Sequence, residues 1–203
     1  MTKLLVLTIF FFLSCQSNEL EGIWVGQYNQ LDLNGERTFT PLRTIIRFEE
    51  NKFYNNIIGK EGIDSFEFVR RKNAIIPREK SAVGFKILSV TQDSLTMTIP
   101  QMENYTLVYK KYYGGQGIEL NLTEQSYSSI ETGDQYKFGR YSKLFKNSEN
   151  GGTWNIISIM STKFLELNEP QGTRFLLVDS IQKGKIYLTE YSIKIQKLTL
   201  VKD

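Results

Sequence analysis

Phe85–Lys110, FKILSVTQDSLTMTIPQMENYTLVYK, decides the fold. It contains three short runs, Phe85–Thr91, Ser94–Ile99 and Tyr105–Lys110, with breaks at Gln92-Asp93 and Pro100–Asn104. Ile, Val, Phe, Tyr and Thr dominate the runs and suit a pleated, half-buried surface. Polar residues and Pro100 fill the breaks, so the stretch reads as a β-meander.

The same rhythm extends upstream. Thr44–Glu49, Lys52–Ile58, Ser65–Arg70 and Asn73–Ile76 read as strands, broken at Glu50-Asn51, Gly59–Gly62, Arg71-Lys72 and Pro77–Gly84. Leu31–Pro41 carries Asn34-Gly35, a strong hairpin dipeptide. Gly22–Tyr28, GIWVGQY, reads as the first strand, with Trp24, Gly26 and Tyr28 on one face and Ile23, Val25 and Gln27 on the other. Downstream, Lys110–Gly117 forms a seam. Strands then resume as Ile118–Leu122, Gln125–Ile130, Tyr136–Tyr141, Thr153–Ile159, Lys163–Leu167, Thr173–Asp179, Lys185–Glu190 and Ile193–Lys202, with Asn147–Gly152 as a turn cluster. No segment sustains a 3.6-residue period over three turns, so very little helix is expected.

The two halves repeat. Phe48–Phe53 parallels Leu122–Tyr127, and Phe66 and Phe85 parallel Trp154 and Phe175. Ile75 precedes Phe85, and Leu165 precedes Phe175, by ten residues; FKIL, SLTMTI and Tyr105-Thr-Leu-Val parallel FLLV, KIYLTE and Leu198-Thr-Leu-Val. Lys110 and Lys202 close the halves, and an insertion of about fifteen residues precedes Trp154. The expected fold is therefore all-β, a tandem duplication of antiparallel meanders of about seven strands each. Such sheets must close or protect their edges.

Gly22-Ile23-Trp24 resembles the Gly-x-Trp that opens lipocalin-like β-barrel domains, and Gly152-Thr153-Trp154 repeats it locally. The resemblance implies barrels whose mouths could hold a small apolar ligand. On that reading Trp24, Tyr28 and Trp154 are the candidate ligand-binding residues. Core packing is the competing role for these aromatics.

Met1–Cys15, MTKLLVLTIFFFLSC, governs the address. Lys3 supplies the charge and Leu4–Leu13 an apolar run, too short for the ~20 residues a membrane helix needs but right for a secretory signal. Phe12-Leu13-Ser14-Cys15 resembles the lipobox of bacterial lipoproteins, with small Ser14 before the lone cysteine; Phe12 and Leu13 depart from the preferred residues. The resemblance implies a signal peptide over residues 1–14, diacylglycerol on the Cys15 thiol and palmitate-type acylation of the new N-terminus. It also implies membrane attachment through that lipid, with the body most simply at the outer membrane, on its periplasmic or surface face. Acyl chains anchor additively, at ~0.8 kcal/mol per buried CH₂. Residues 15–21 form the lipidated tether, 22–113 the first β unit and 117–203 the second.

Composition excludes much chemistry. The chain has no histidine and one cysteine, which removes His-dependent nucleophile systems, His-liganded metals and, once Cys15 is lipidated, thiol chemistry. Loss of residues 1–14 lowers the net charge from +3 to +2, giving no general argument for nucleic acid. Neighbouring acids such as Glu49 and Glu50 point to opposite faces of a strand, against a glycosidase pair. No phosphate loop, metal site or cofactor is expected. The expected function is non-catalytic binding of a small molecule, glycan or partner protein at the cell envelope. The alternatives are a subunit of an envelope assembly, an inhibitor or immunity protein and, last, a carboxylate-dependent hydrolase.

Overall fold

A computed structural model describes residues 19–114 and 118–203. The lipid-acceptor reading of Cys15 and part of the glycine seam lie outside the described residues. The first half forms β1 (Gly22–Leu33), β2 (Glu36–Pro41), β3 (Thr44–Glu49), β4 (Lys52–Ile57), β5 (Asp64–Arg71), β6 (Ala74–Pro77), β7 (Phe85–Val90), β8 (Ser94–Ile99) and β9 (Met102–Tyr112). The second forms β10 (Gln125–Ser129), β11 (Gln135–Phe138), β12 (Lys143–Lys146), β13 (Glu149–Ile159), β14 (Thr162–Glu169), β15 (Gly172–Gln182), β16 (Lys185–Glu190) and β17 (Gln196–Lys202). Among the described residues there is no helix.

Each half is a closed antiparallel barrel of eight strands. In the first, β1 and β3–β9 pair in sequence order and β1 returns to β9; β2 lies outside the closure, paired with β1. The second closes from β10 to β17. Closure removes the free edges that an open meander would present. The alternating positions fill both interiors. Trp24, Phe48, Phe53, Phe68, Leu95 and Met97 pack inside the first barrel, and Tyr136, Phe138, Leu144, Trp154, Leu165 and Leu188 inside the second.

Register fixes how the halves correspond. Phe48 opposes Phe53, and Phe138 opposes Leu144. Ile75 opposes Phe85, and Leu165 opposes Leu176. Phe48 meets Phe68 edge-to-face at 5.8 Å, as Phe138 meets Trp154 at 5.4 Å. Trp24 opposes Ile46 and Lys111 where Tyr127 opposes Tyr136 and Lys202. Phe48 therefore matches Phe138, not Leu122, and Trp154 matches Phe68. Phe85 matches Leu176, while Phe175 turns to the outer wall, because a one-residue slip exchanges the faces of a strand.

Several strand expectations are corrected accordingly. Ile118–Leu122 is not a strand; Leu122 is a fully buried cap ahead of β10, as Leu20 is ahead of β1. The turn at Asn147–Gly152 contracts to Asn147-Ser148, both with positive φ, and β13 begins at Glu149. The short strand β12, unread in the sequence, supplies the eighth stave. The extra length lies in the first half instead: Ile46 follows Trp24 by twenty-two residues, whereas Tyr136 follows Tyr127 by nine. The arm formed by the end of β1 and by β2 accounts for it.

The barrels share a third apolar cluster. Ile23, Val25 and Ile45 on the outer wall of the first meet Ile159, Phe164 and Leu177 on the outer wall of the second. Burial of such side chains contributes about 1.5–3 kcal/mol each. The Tyr112 hydroxyl donates to the Val178 carbonyl at 3.2 Å across the junction, and Arg43 lies 5.3 Å from the Phe175 ring.

Candidate functional site

The aromatic residues singled out by the Gly-x-Trp pattern do not converge. Trp24 is wholly buried in the first barrel, its Nε1–H donating to the Leu20 carbonyl at 2.7 Å and its ring 5.1 Å from the Lys111 Nζ. Trp154 belongs to the second core, its Nε1–H donating to the Gly139 carbonyl at 3.3 Å. Tyr28 does not share the face of Trp24. The β1–β9 register shifts between Gly26 and Tyr28, so Tyr28 opposes Val108 on the outer wall and meets Phe39 edge-to-face at 5.5 Å. The bulge has a local cause: a Cβ on Gly26 would lie 2.4 Å from the Leu42 carbonyl oxygen, so only glycine lets the chain cross there.

Chemistry concentrates instead at one mouth of the second barrel, where β11 begins, β12, β14 and β16 end, and β15 begins. The inward alternation places charges above the apolar layers. Lys146 Nζ lies 3.0 Å from Asp134 Oδ2 and 3.6 Å from Glu169 Oε1; Arg174 lies 3.5 Å from Glu169 Oε2 and 2.8 Å from Glu190 Oε2. Acids and bases therefore alternate along one chain, Asp134–Lys146–Glu169–Arg174–Glu190. The Glu169 side chain is 6% exposed, and its Oε1 receives no hydrogen bond.

The electrostatics are self-supporting. The Asn147 amide donates to Asp134 and, with Lys146 and Thr132, holds that carboxyl below the usual aspartate value against the opposing effect of burial. Burial works against the Lys146 charge, but Asp134, Tyr136 and Glu169 outweigh it and raise its pKa. Lys146 also sits 5.5 Å from the Tyr136 ring. Each of these acids is engaged by at least one of the two bases. Among the described residues no group of three His, Cys, Asp or Glu side chains is arranged to hold a metal ion.

Among the described residues a depression of about 310 Å³ at the end of the first barrel is bordered by Gly22, Arg47 and Phe48, and three others lie on the second barrel and at the junction. Two depressions in the outer wall of the second barrel, about 280 and 590 Å³, are bordered by Lys137, Phe145 and Ser148 and by Asp179, Tyr187 and Lys197 respectively. A cleft of about 70 Å³ between the barrels reaches Arg43, Phe175 and Glu190, so Glu190 belongs to both the charged mouth and the junction. Neither Trp24 nor Trp154 lines any of the three. The charged mouth escaped the sequence reading because its members are scattered from Asp134 to Glu190, and only the barrel register brings them together.

No family model, no curated protein and no solved structure matches this chain.

Proposed function

We propose that the chain is a lipid-anchored lipoprotein of the cell envelope, held at the outer membrane through Cys15, and that it binds a partner protein without catalysis. The carrying observation is that side chains fill both barrels, while the charged groups collect at one mouth and in the outer walls. A filled barrel leaves little interior for an apolar ligand. A rigid rim of alternating charge instead suits the polar periphery of a protein interface, where complementary charges set register and partner choice. The membrane anchor rests on the lipobox-like stretch alone.

The test is a pull-down of the intact chain from gently solubilised membranes, with mass spectrometry of proteins and small molecules. A stoichiometric protein partner is the expected outcome. A retained lipid or glycan with no protein overturns the partner reading in favour of a carrier. In the same preparation, Cys15→Ala moves the protein from the membrane pellet to the soluble exported fraction; retention in the pellet at high salt refutes the anchor.

A further inference from the structure

Strand β2 is the part of the first half that closure does not need, since the end of β1 that carries it still pairs with β9 through Leu31. All six residues of β2 are exposed, and among the described residues β2 pairs only with β1. The second barrel has no such arm; it passes from β10 to β11 directly through the five residues between Ser129 and Gln135. Asn34 and Gly35, both at positive φ, form a two-residue turn that makes Leu33 and Glu36 the hydrogen-bonded closing pair. Alternation then directs the peptide groups of Glu36, Thr38 and Thr40 to β1. The Leu42 N–H continues this phase by donating to the Gln27 carbonyl at 3.2 Å. The N–H and C=O groups of Arg37 and Phe39 consequently point away from the molecule, an open edge of the kind that captures another strand.

We infer that this edge pairs with the same edge of a second copy of the chain, β2 antiparallel to β2 about a two-fold axis at Thr38. The residues of the strand select this occupant and this register. A register that places Arg37 opposite Arg37 opposes like charges. One that places Phe39 opposite Phe39 brings Arg37 against Pro41, which has no N–H to donate. With Thr38 opposite Thr38, Arg37 and the second copy's Phe39 exchange both backbone hydrogen bonds, and the symmetry repeats the exchange. The Arg37 guanidinium then lies beside the second copy's Phe39 ring, the threonines face each other, and Glu36 faces Thr40. Phe39 is 43% exposed and already braced by Tyr28, so its ring is presented at little ordering cost.

The test uses the purified full chain. Sedimentation equilibrium of the wild type shows concentration-dependent dimers. Arg37→Pro removes an outward N–H that the barrel does not use, a position where an edge strand tolerates proline. It yields monomer with a thermal midpoint lowered by no more than loss of the exposed Asp32–Arg37 ion pair (3.2 Å) accounts for, the shift that Arg37→Ala shows on its own. Introduced thiols read the register, in a full chain carrying Cys15→Ala so that each is alone. Non-hydrogen-bonded partners sit about 4.5 Å apart, within disulfide reach, so Thr38→Cys cross-links about tenfold faster than Arg37→Cys or the distant Arg70→Cys. Monomer at every concentration overturns the inference, as do equal cross-linking rates. A monomeric chain whose Arg37→Pro form loses a foreign protein from the pull-down also overturns it, by assigning the edge to that protein.

Discussion

Trp24 shows how one side chain can close a barrel. Its ring is wholly buried, its only polar atom is satisfied by the Leu20 carbonyl, and Lys111 lies against its face. Leu20 falls in the tether of the sequence reading, yet it is fully buried beneath this ring. The contact carries the chain from the N-terminal segment into the core. Trp24→Ala is expected to destabilise the protein by about 3–5 kcal/mol, the range for removing a large buried aromatic. Urea unfolding measures it, and a change within about 0.5 kcal/mol would mean that the ring carries little packing energy. In the second barrel the equivalent place belongs to Tyr127, which is also buried and opposes Lys202. A Trp at the first strand is thus one solution to filling the barrel end, and Gly-x-Trp at Gly152–Trp154 reports a different strand.

At the scale of the strand, alternation made most of the fold legible. Thr44–Glu49, Ser94–Ile99 and Lys185–Glu190 were readable to the residue because each is a short run rich in β-favouring residues bounded by turn residues. Lys143–Lys146 was not, since two lysines flank Leu-Phe and the inward Lys146 takes a place where the pattern calls for an apolar residue. The same exception hid the charged mouth: inward Glu169, Arg174 and Glu190 give no apolar signal, and only closure brings them together. Gly152 marks a second feature of local geometry. The β12–β13 register shifts beside its partner Leu144, its φ is +106°, and a Cβ there would lie 1.9 Å from the Asn168 carbonyl oxygen. Gly152→Ala meets both backbone strain and collision, and should lose about 2–4 kcal/mol by chemical unfolding. Gly133→Ala, at a turn with open space around the Cβ, serves as the control that carries strain without collision; similar losses in the two variants would show that the contact with β14 is unimportant.

Across the whole molecule, the barrel junction differs from the barrel cores in joining the outer walls, with two tyrosines, Tyr112 and Tyr191, against its apolar residues. Tyr112 and Tyr191 are both pushed up to about 12, first by burial and then by the nearby Asp179 carboxylate. Tyr109, inside the first barrel, is likewise pushed up to about 12 by burial. A tyrosine whose folded pKa lies above its unfolded value of 10.0 leaves stability untouched below pH 10. Between about pH 10 and 12 the unfolded chain releases the proton more readily than the folded one, so stability falls as the pH rises. The expected result is therefore a steep loss of unfolding free energy across that window. Tyr112→Phe with Tyr191→Phe weakens the neutral protein slightly, through the lost hydrogen bond to Val178, but flattens the alkaline slope, leaving the part due to Tyr109, Tyr127 and Tyr136. Urea unfolding at a series of pH values, followed beside tyrosinate absorbance, measures both effects. A slope identical in the double variant would remove the junction from the alkaline response and leave Tyr109, Tyr127 and Tyr136, each raised by burial, to account for it. A flattened slope would show that burial of Tyr112 and Tyr191 beside the shared apolar cluster is a source of the alkaline loss of stability.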